Sequence, residues 1–198
     1  KARHLVDGSG ARWSPDGTRI LYVASGEPRG AQIFVRWMDA EGTTSQVTRL
    51  ANAPSNVTWS PDGQSIAFIS RVDDDAEFAG VKLPGKPNGA KWTGDPKVVE
   101  RASYHRDRVG FTDTGWNHLF VVPADGGTAR QLTRGSWNHQ GVEWSPDGRE
   151  IYFSSYRTED WDRPSNWKES EIYAVAVGDA NHATRVRVSL SVRSYIGL

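Results

Sequence analysis

The residues best placed to touch another molecule lie between 159 and 169. Glu159, Asp160, Trp161, Asp162, Arg163, Trp167 and Lys168 crowd there between two apolar runs. Carboxylates beside aromatic rings can grip an amine or a cationic side chain through charge-assisted hydrogen bonds and cation–π contact. Glu159, Asp160, Trp161, Asp162 and Trp167 are therefore the candidate contact residues for a bound molecule. The plainer reading is a long loop packed against a neighbouring domain or blade.

Other chemistry-bearing groups carry less. His105-Arg106-Asp107 has the spelling of a kinase catalytic loop, but Thr112 stands where the Asn should follow, and no Gly-rich loop accompanies it. A polar turn between strands is the better reading. Asp73, Asp74 and Asp75 could offer oxygens to a hard cation, yet the glycine and bidentate glutamate of a calcium loop are missing, which leaves a solvated acidic loop. His4, His105, His118, His139 and His182 show no paired spacing suited to zinc, and His118 is expected to flank a strand. No metal and no cofactor are expected. Asn56-Val57-Thr58 spells a glycosylation sequon, but its place at the start of an inner strand marks it as accidental.

The elements that position these residues follow from a repeat. Trp-Ser-Pro-Asp-Gly occurs at Trp13–Gly17, Trp59–Gly63 and Trp144–Gly148, with spacings of 46 and 85 residues. Periods in the forties with short strands are the mark of propeller blades. Pro15, Pro61 and Pro146 preset φ for a type I turn, and Gly17, Gly63 and Gly148 accept positive φ at its end. Asp16, Asp62 and Asp147 complete the motif. After each turn comes a nearly continuous apolar run, such as Ile66-Ala67-Phe68-Ile69, as expected of a strand covered on both faces. The recurring Trp13, Trp59 and Trp144 read as packing residues between blades, not as a platform for a ligand.

The fold class is all-β: blades of four antiparallel strands, about four to four and a half of them, forming part of a larger propeller. The spacing of 85 predicts a degenerate copy between the second and third turns. The divisions are an outer strand alone at 1–10, blades at 11–53, 54–96, 97–139 and 140–190, and a tail or next strand at 191–198. Residues 72–96 read as an irregular insertion. The match of Ala2-Arg3-His4-Leu5 to Ala129-Arg130-Gln131-Leu132 makes the N-terminus look like the last strand of a preceding blade. An open arc would leave apolar faces uncovered, so either a longer gene or association of copies (a homo-oligomer) is expected, with the longer gene preferred.

Composition narrows the partners. Lys and Arg number 24 against 24 Asp and Glu, so nothing points to nucleic acid. No stretch approaches a membrane-spanning length, and residues 1–10 have no apolar core of a signal peptide. The absence of cysteine excludes disulfides and thiol catalysis but leaves the compartment, cytoplasmic or periplasmic, undecided.

The repeats resemble those shared by TolB-type propellers and the prolyl oligopeptidase family. Two segments are similar to its acylaminoacyl-peptidase (dipeptidyl aminopeptidase-like) branch. One runs from Lys97-Val98-Val99 through His118–Val122 and Gln131–Gly135 to Trp144–Gly148; the other is Phe153–Asp160 with Glu171-Ile172-Tyr173. The resemblance implies a non-catalytic propeller that caps a downstream α/β-hydrolase domain of a serine peptidase and limits entry to short or unstructured peptides. The nucleophile of that family sits in a Gly-x-Ser-x-Gly elbow. Gly8-Ser9-Gly10 comes nearest, with Asp7 where a glycine is required, so no catalytic residue is expected in this chain. Related dipeptidyl peptidases hold the substrate N-terminus with a Glu pair, which the 159–169 segment lacks. The competing reading is a free-standing TolB-like scaffold for protein interaction. A carbohydrate-active propeller would need paired carboxylates that no repeat position supplies.

Overall fold

Each Trp-Ser-Pro-Asp-Gly segment joins the first strand of a sheet to its second. The computed structural model describes residues 4–39, 42–73, 87–89, 105–107, 110–111, 115–157 and 170–178. Strands β1 (Ser9–Trp13), β2 (Arg19–Gly26), β3 (Gly30–Trp37) and β4 (Thr44–Gln46) form a first sheet in the order β1-β2-β3-β4. The second sheet consists of β5 (Ser55–Trp59), β6 (Ser65–Val72), β9 (Trp116–Pro123) and β10 (Arg130–Gln131). Its third and fourth strands are reached only after a small ladder of β7 (His105–Arg106) and β8 (Gly110–Phe111). A third sheet comprises β11 (His139–Trp144), β12 (Glu150–Ser155) and β13 (Glu171–Ala176). All pairings are antiparallel, and no helix occurs among the described residues.

The first strands, β1, β5 and β11, share a bulge three residues before the tryptophan. Gly10 (φ 65°), Asn56 (φ 50°) and Gly141 (φ 65°) hold left-handed conformations where the register slips against the second strand. Two glycines and an asparagine are the residue types that tolerate this backbone. The sequon asparagine, Asn56, is thus a bulge residue within β5.

The pairing of β6 with β9 corrects the expected blade boundaries. Ser65 to Val72 form an unbroken eight-residue register with Pro123 to Trp116. The run Leu119–Val122 is therefore the third strand of the second sheet, not part of a separate blade at 97–139. The spacing of 85 is one repeat enlarged by a long connection between Val72 and Trp116. His105–Asp107, expected as a polar turn between strands, falls inside that connection, and two-residue strands flank Asp107. The described residues hold three such sheets. Residues 4–8, expected to lie in an outer strand, form no strand, and residues 179–190 of the blade expected at 140–190 lie outside the described residues.

Two apolar clusters fill the seams. Leu21, Ile33, Val35 and Val47 of the first sheet meet Val57, Trp59, Ile66, Phe68, Val122 and Ala124 of the second. Ala67, Ile69, Leu119, Val121 and Leu132 meet Val142, Ile151, Phe153, Tyr173 and Val175 across the next seam. The second sheet is thus buried on both faces, which is why β6 reads as a continuous apolar run. Trp59 is 7% exposed and Trp144 packs beside the second cluster, as expected of residues between blades. Trp13 departs from that expectation at 57% exposure, because among the described residues no sheet lies on its face of the first sheet.

The turns nest at one end of the seams. A Cβ on Gly17 would meet nothing, but on Gly63 it would come 3.3 Å from the Arg19 guanidinium and 3.5 Å from Pro15. Both glycines hold φ near +70°. Gly17→Ala is expected to cost only the left-handed strain, about 1 kcal/mol, and Gly63→Ala measurably more. Denaturant midpoints at unchanged m-value check the order, and equal losses would refute the nested contact.

Candidate functional site

The serine and aspartate of each repeat lock their own turn. Ser14, Ser60 and Ser145 donate their hydroxyl to Asp16, Asp62 and Asp147 at 2.5–2.6 Å. Each hydroxyl oxygen also accepts the N–H of the first second-strand residue, Arg19, Ser65 or Glu150, at 2.9 Å. Each aspartate accepts a further N–H two residues on. These donors hold the Asp16 carboxyl at about 2, with the Ser14 hydroxyl the largest cause, and hold Asp62 and Asp147 below the usual 3.8. The four motif residues after the tryptophan are structural; nothing reactive gathers on them.

The first seam is pinned by Arg19. Its guanidinium lies 5.0 Å from the ring centroids of both Trp37 and Trp59, and Nη2 donates to the Gly63 carbonyl at 2.8 Å. Asp125 stands 3.7 Å from Nη1 but is itself largely exposed, so that ion pair adds little. Trp59 Nε1 donates to the Arg12 carbonyl at 3.1 Å, tying the same two sheets again. Ser65 and Glu150 occupy the place of Arg19 in the other sheets, so this clamp is particular to one seam.

The second seam has a different polar core. His118 on β9 and His139 at the start of β11 are 4% and 1% exposed, with ring centroids 5.5 Å apart. His118 Nδ1 lies 3.3 Å from Thr133 Oγ1, and His139 Nδ1 lies 3.0 Å from Ser155 Oγ. The Phe153 ring stands edge-on to His139 at 4.8 Å. Burial, then the Arg157 charge, then His118 push His139 down to about 3, so its imidazole is neutral near pH 7. His118, expected beside a strand, sits inside one. The sequence offered no sign that these two histidines meet, since they stand 21 residues apart on different sheets.

The candidate contact residues Glu159, Asp160, Trp161, Asp162 and Trp167 lie outside the described residues, as do Asp74, Asp75 and His182. Their flanks are described. Ser155 pairs with Glu171 across β12 and β13, so the connection leaves and returns on adjacent strands. Just before it, the Arg157 guanidinium lies 4.2 Å from the Tyr173 ring. Tyr173 in turn donates its hydroxyl to Glu171 at 2.8 Å. Asp73 forms an ion pair with Arg71 at 3.4 Å and accepts from Asn52 at 3.1 Å, which ties it to its own sheet.

Antiparallel sheets stacked by their faces, each begun by a tryptophan-led turn, define a propeller of the TolB and prolyl oligopeptidase type. Comparison with known proteins agrees. The chain belongs to the family described as the dipeptidyl peptidase IV (DPP IV) N-terminal region, matched over residues 92–195. It is 30% identical over 151 residues to the uncharacterized peptidase YuxL of Bacillus subtilis, a match covering 75% of this chain and 22% of that protein. Among solved structures, acylaminoacyl peptidase of Pyrococcus horikoshii aligns with TM-score 0.58 at 18% identity, over 86% of this chain and 24% of that one. TolB of Acinetobacter baumannii aligns with TM-score 0.51 at 18% identity, over 92% and 32%. Both likenesses concern the fold. The chain spans less than a quarter of YuxL.

Two outcomes are expected. Arg19→Met leaves the buried Gly63 carbonyl unpaired and is expected to cost about 2 kcal/mol in urea unfolding, whereas Arg149→Met at an exposed turn stays within about 0.5 kcal/mol. Equal effects would remove Arg19 from the seam. The unfolded chain protonates the turn aspartates near 3.8 and the folded chain lower. Their contribution is therefore complete above that range and lost as pH falls toward 2. Acid titration of Asp16→Asn should show a shallower loss than the parent, and an unchanged slope would contradict the assignment.

Proposed function

We propose that this chain is the non-catalytic propeller of a serine peptidase, capping an α/β-hydrolase domain and admitting short or unstructured peptides to it. Membership of the DPP IV N-terminal-region family carries the reading. It is supported by a sequence of 198 residues without a Gly-x-Ser-x-Gly elbow, and by the likeness to a protein named as a peptidase. On this reading the propeller orients and filters peptides, and the chemistry is supplied by the hydrolase domain.

Within that role, Glu159, Asp160 and Asp162 bind the amino group or a cationic side chain of the peptide, with Trp161 and Trp167 as its aromatic walls. Three carboxylates so close in sequence make a field that favours a cation, and an adjacent indole face adds to it.

Hydrolysis of aminoacyl-nitroanilides by the full-length protein, sensitive to a serine-directed inhibitor, is the expected result. The purified 198-residue chain should turn over nothing. Exchanging Glu159, Asp160 and Asp162 for Gln, Asn and Asn in the full-length enzyme should raise KM about tenfold for peptides with a free N-terminus and leave kcat unchanged. Absence of inhibitor-sensitive hydrolysis by the full-length protein would favour the alternative, a TolB-like scaffold. Hydrolysis by the isolated chain would overturn both.

A further inference from the structure

Corresponding positions in the two seams carry different chemistry. On the third strand of the first sheet stands Gln32, fully buried, accepting from Thr48 Oγ1 at 3.0 Å and Leu50 N at 2.8 Å and donating to Leu50 O at 2.9 Å. Five residues before Trp59 stands buried Pro54. Neither titrates. In the second seam His118 takes the place of Gln32, and His139, five residues before Trp144, takes that of Pro54.

The proton on His139 can be placed from its neighbours. Ser155 Oγ donates to the Asn138 carbonyl at 3.0 Å, so its hydrogen is committed there and its lone pair faces the imidazole. His139 Nδ1 therefore carries the hydrogen and donates to Ser155. Nε2 is left as a bare acceptor, buried and without a hydrogen-bond partner among the described residues. A second proton would create an unpaired N–H in the seam, 5.5 Å between ring centroids from His118.

Among the described residues, the charged groups around the pair do not offset that charge. Arg157 adds a like charge. On the strands packed against β11, Arg71 is engaged with Asp73 and Glu150 accepts from Tyr152. Glu171 on β13 accepts from Tyr173, and Glu143 of β11 itself is exposed.

We propose that the His118–His139 pair makes the seam between the second and third sheets an acid-released joint, while the Arg19 clamp keeps the first seam closed. Between an unfolded value of 6.5 and a folded one near 3, the opened seam binds more protons than the closed one, so closure weakens as pH falls. For a single titrating imidazole, opening rises about tenfold at pH 5.5 and about a hundredfold at pH 4.5 relative to neutral pH.

Amide hydrogen exchange of the whole protein between pH 7 and 4.5, corrected for the intrinsic rate, measures this. In β9 and β11 exchange should accelerate by those factors, while β2 and β3 stay level. The variant His118→Gln/His139→Gln should flatten the response. Equal acceleration in both seams, or an undiminished response in the variant, overturns the proposal. Should the variant not fold, imidazole titration of the parent protein by NMR decides: a His139 midpoint below about 5 supports the joint, and one near 6.5 overturns it.

Discussion

The hydroxyl of the motif serine is the contact on which the rest depends. It donates to an aspartate two residues on and accepts the first N–H of the second strand, so one side chain closes the turn from within. Three copies repeat this geometry almost without change. Because the lock is local, every second strand starts in the same register relative to its tryptophan, and the sheets present equivalent faces to one another. The seams then follow from face chemistry: aliphatic side chains of one sheet against the aromatic and branched side chains of the next. Burial on this scale supplies the cohesion, while the turn supplies only geometry.

Against that common frame, the polar residues distinguish one seam from another. Arg19 is stacked between two indoles and hydrogen-bonded to a buried carbonyl, a set of contacts that compensates much of its desolvation. In the second seam, among the described residues, Trp144 Nε1 is buried without the partner that Trp59 finds in Arg12, and His139 Nε2 is likewise without one. Among the described residues each seam thus leaves a buried nitrogen open, Arg19 Nε in the first and Trp144 Nε1 and His139 Nε2 in the second, and they differ in which groups carry the charge, a difference invisible in the apolar pattern.

What the sequence made legible was short-range. Pro, Asp and Gly dictate a turn through their own backbone preferences, and the apolar run after it announces a strand covered on both faces. The bulge at Gly10, Asn56 and Gly141 is also short-range, but three residues of two types leave no identical repeat in the sequence to mark it. The partner of β6 was not legible, since pairing is chosen by faces that meet only after a long excursion; the apolar run at 119–122 therefore suggested a further blade. The histidine pair escaped for the same reason. The family could be recognised from motifs, whereas the acidic segment at 159–162 was singled out from residue types alone.

The connections between second and third strands all leave from one end of the sheets, and they differ widely in length. Three residues separate Gly26 from Gly30 in the first sheet, against 43 between Val72 and Trp116 in the second. Closing the longer excursion costs only about 2 kcal/mol more in chain entropy, because that penalty grows with the logarithm of length. An uninterrupted ladder of eight residue pairs between β6 and β9 absorbs such a sum easily. Evolution can therefore lengthen, shorten or rewrite these excursions with little thermodynamic consequence for the stack beneath, which makes that rim the region where members of one lineage are free to diverge.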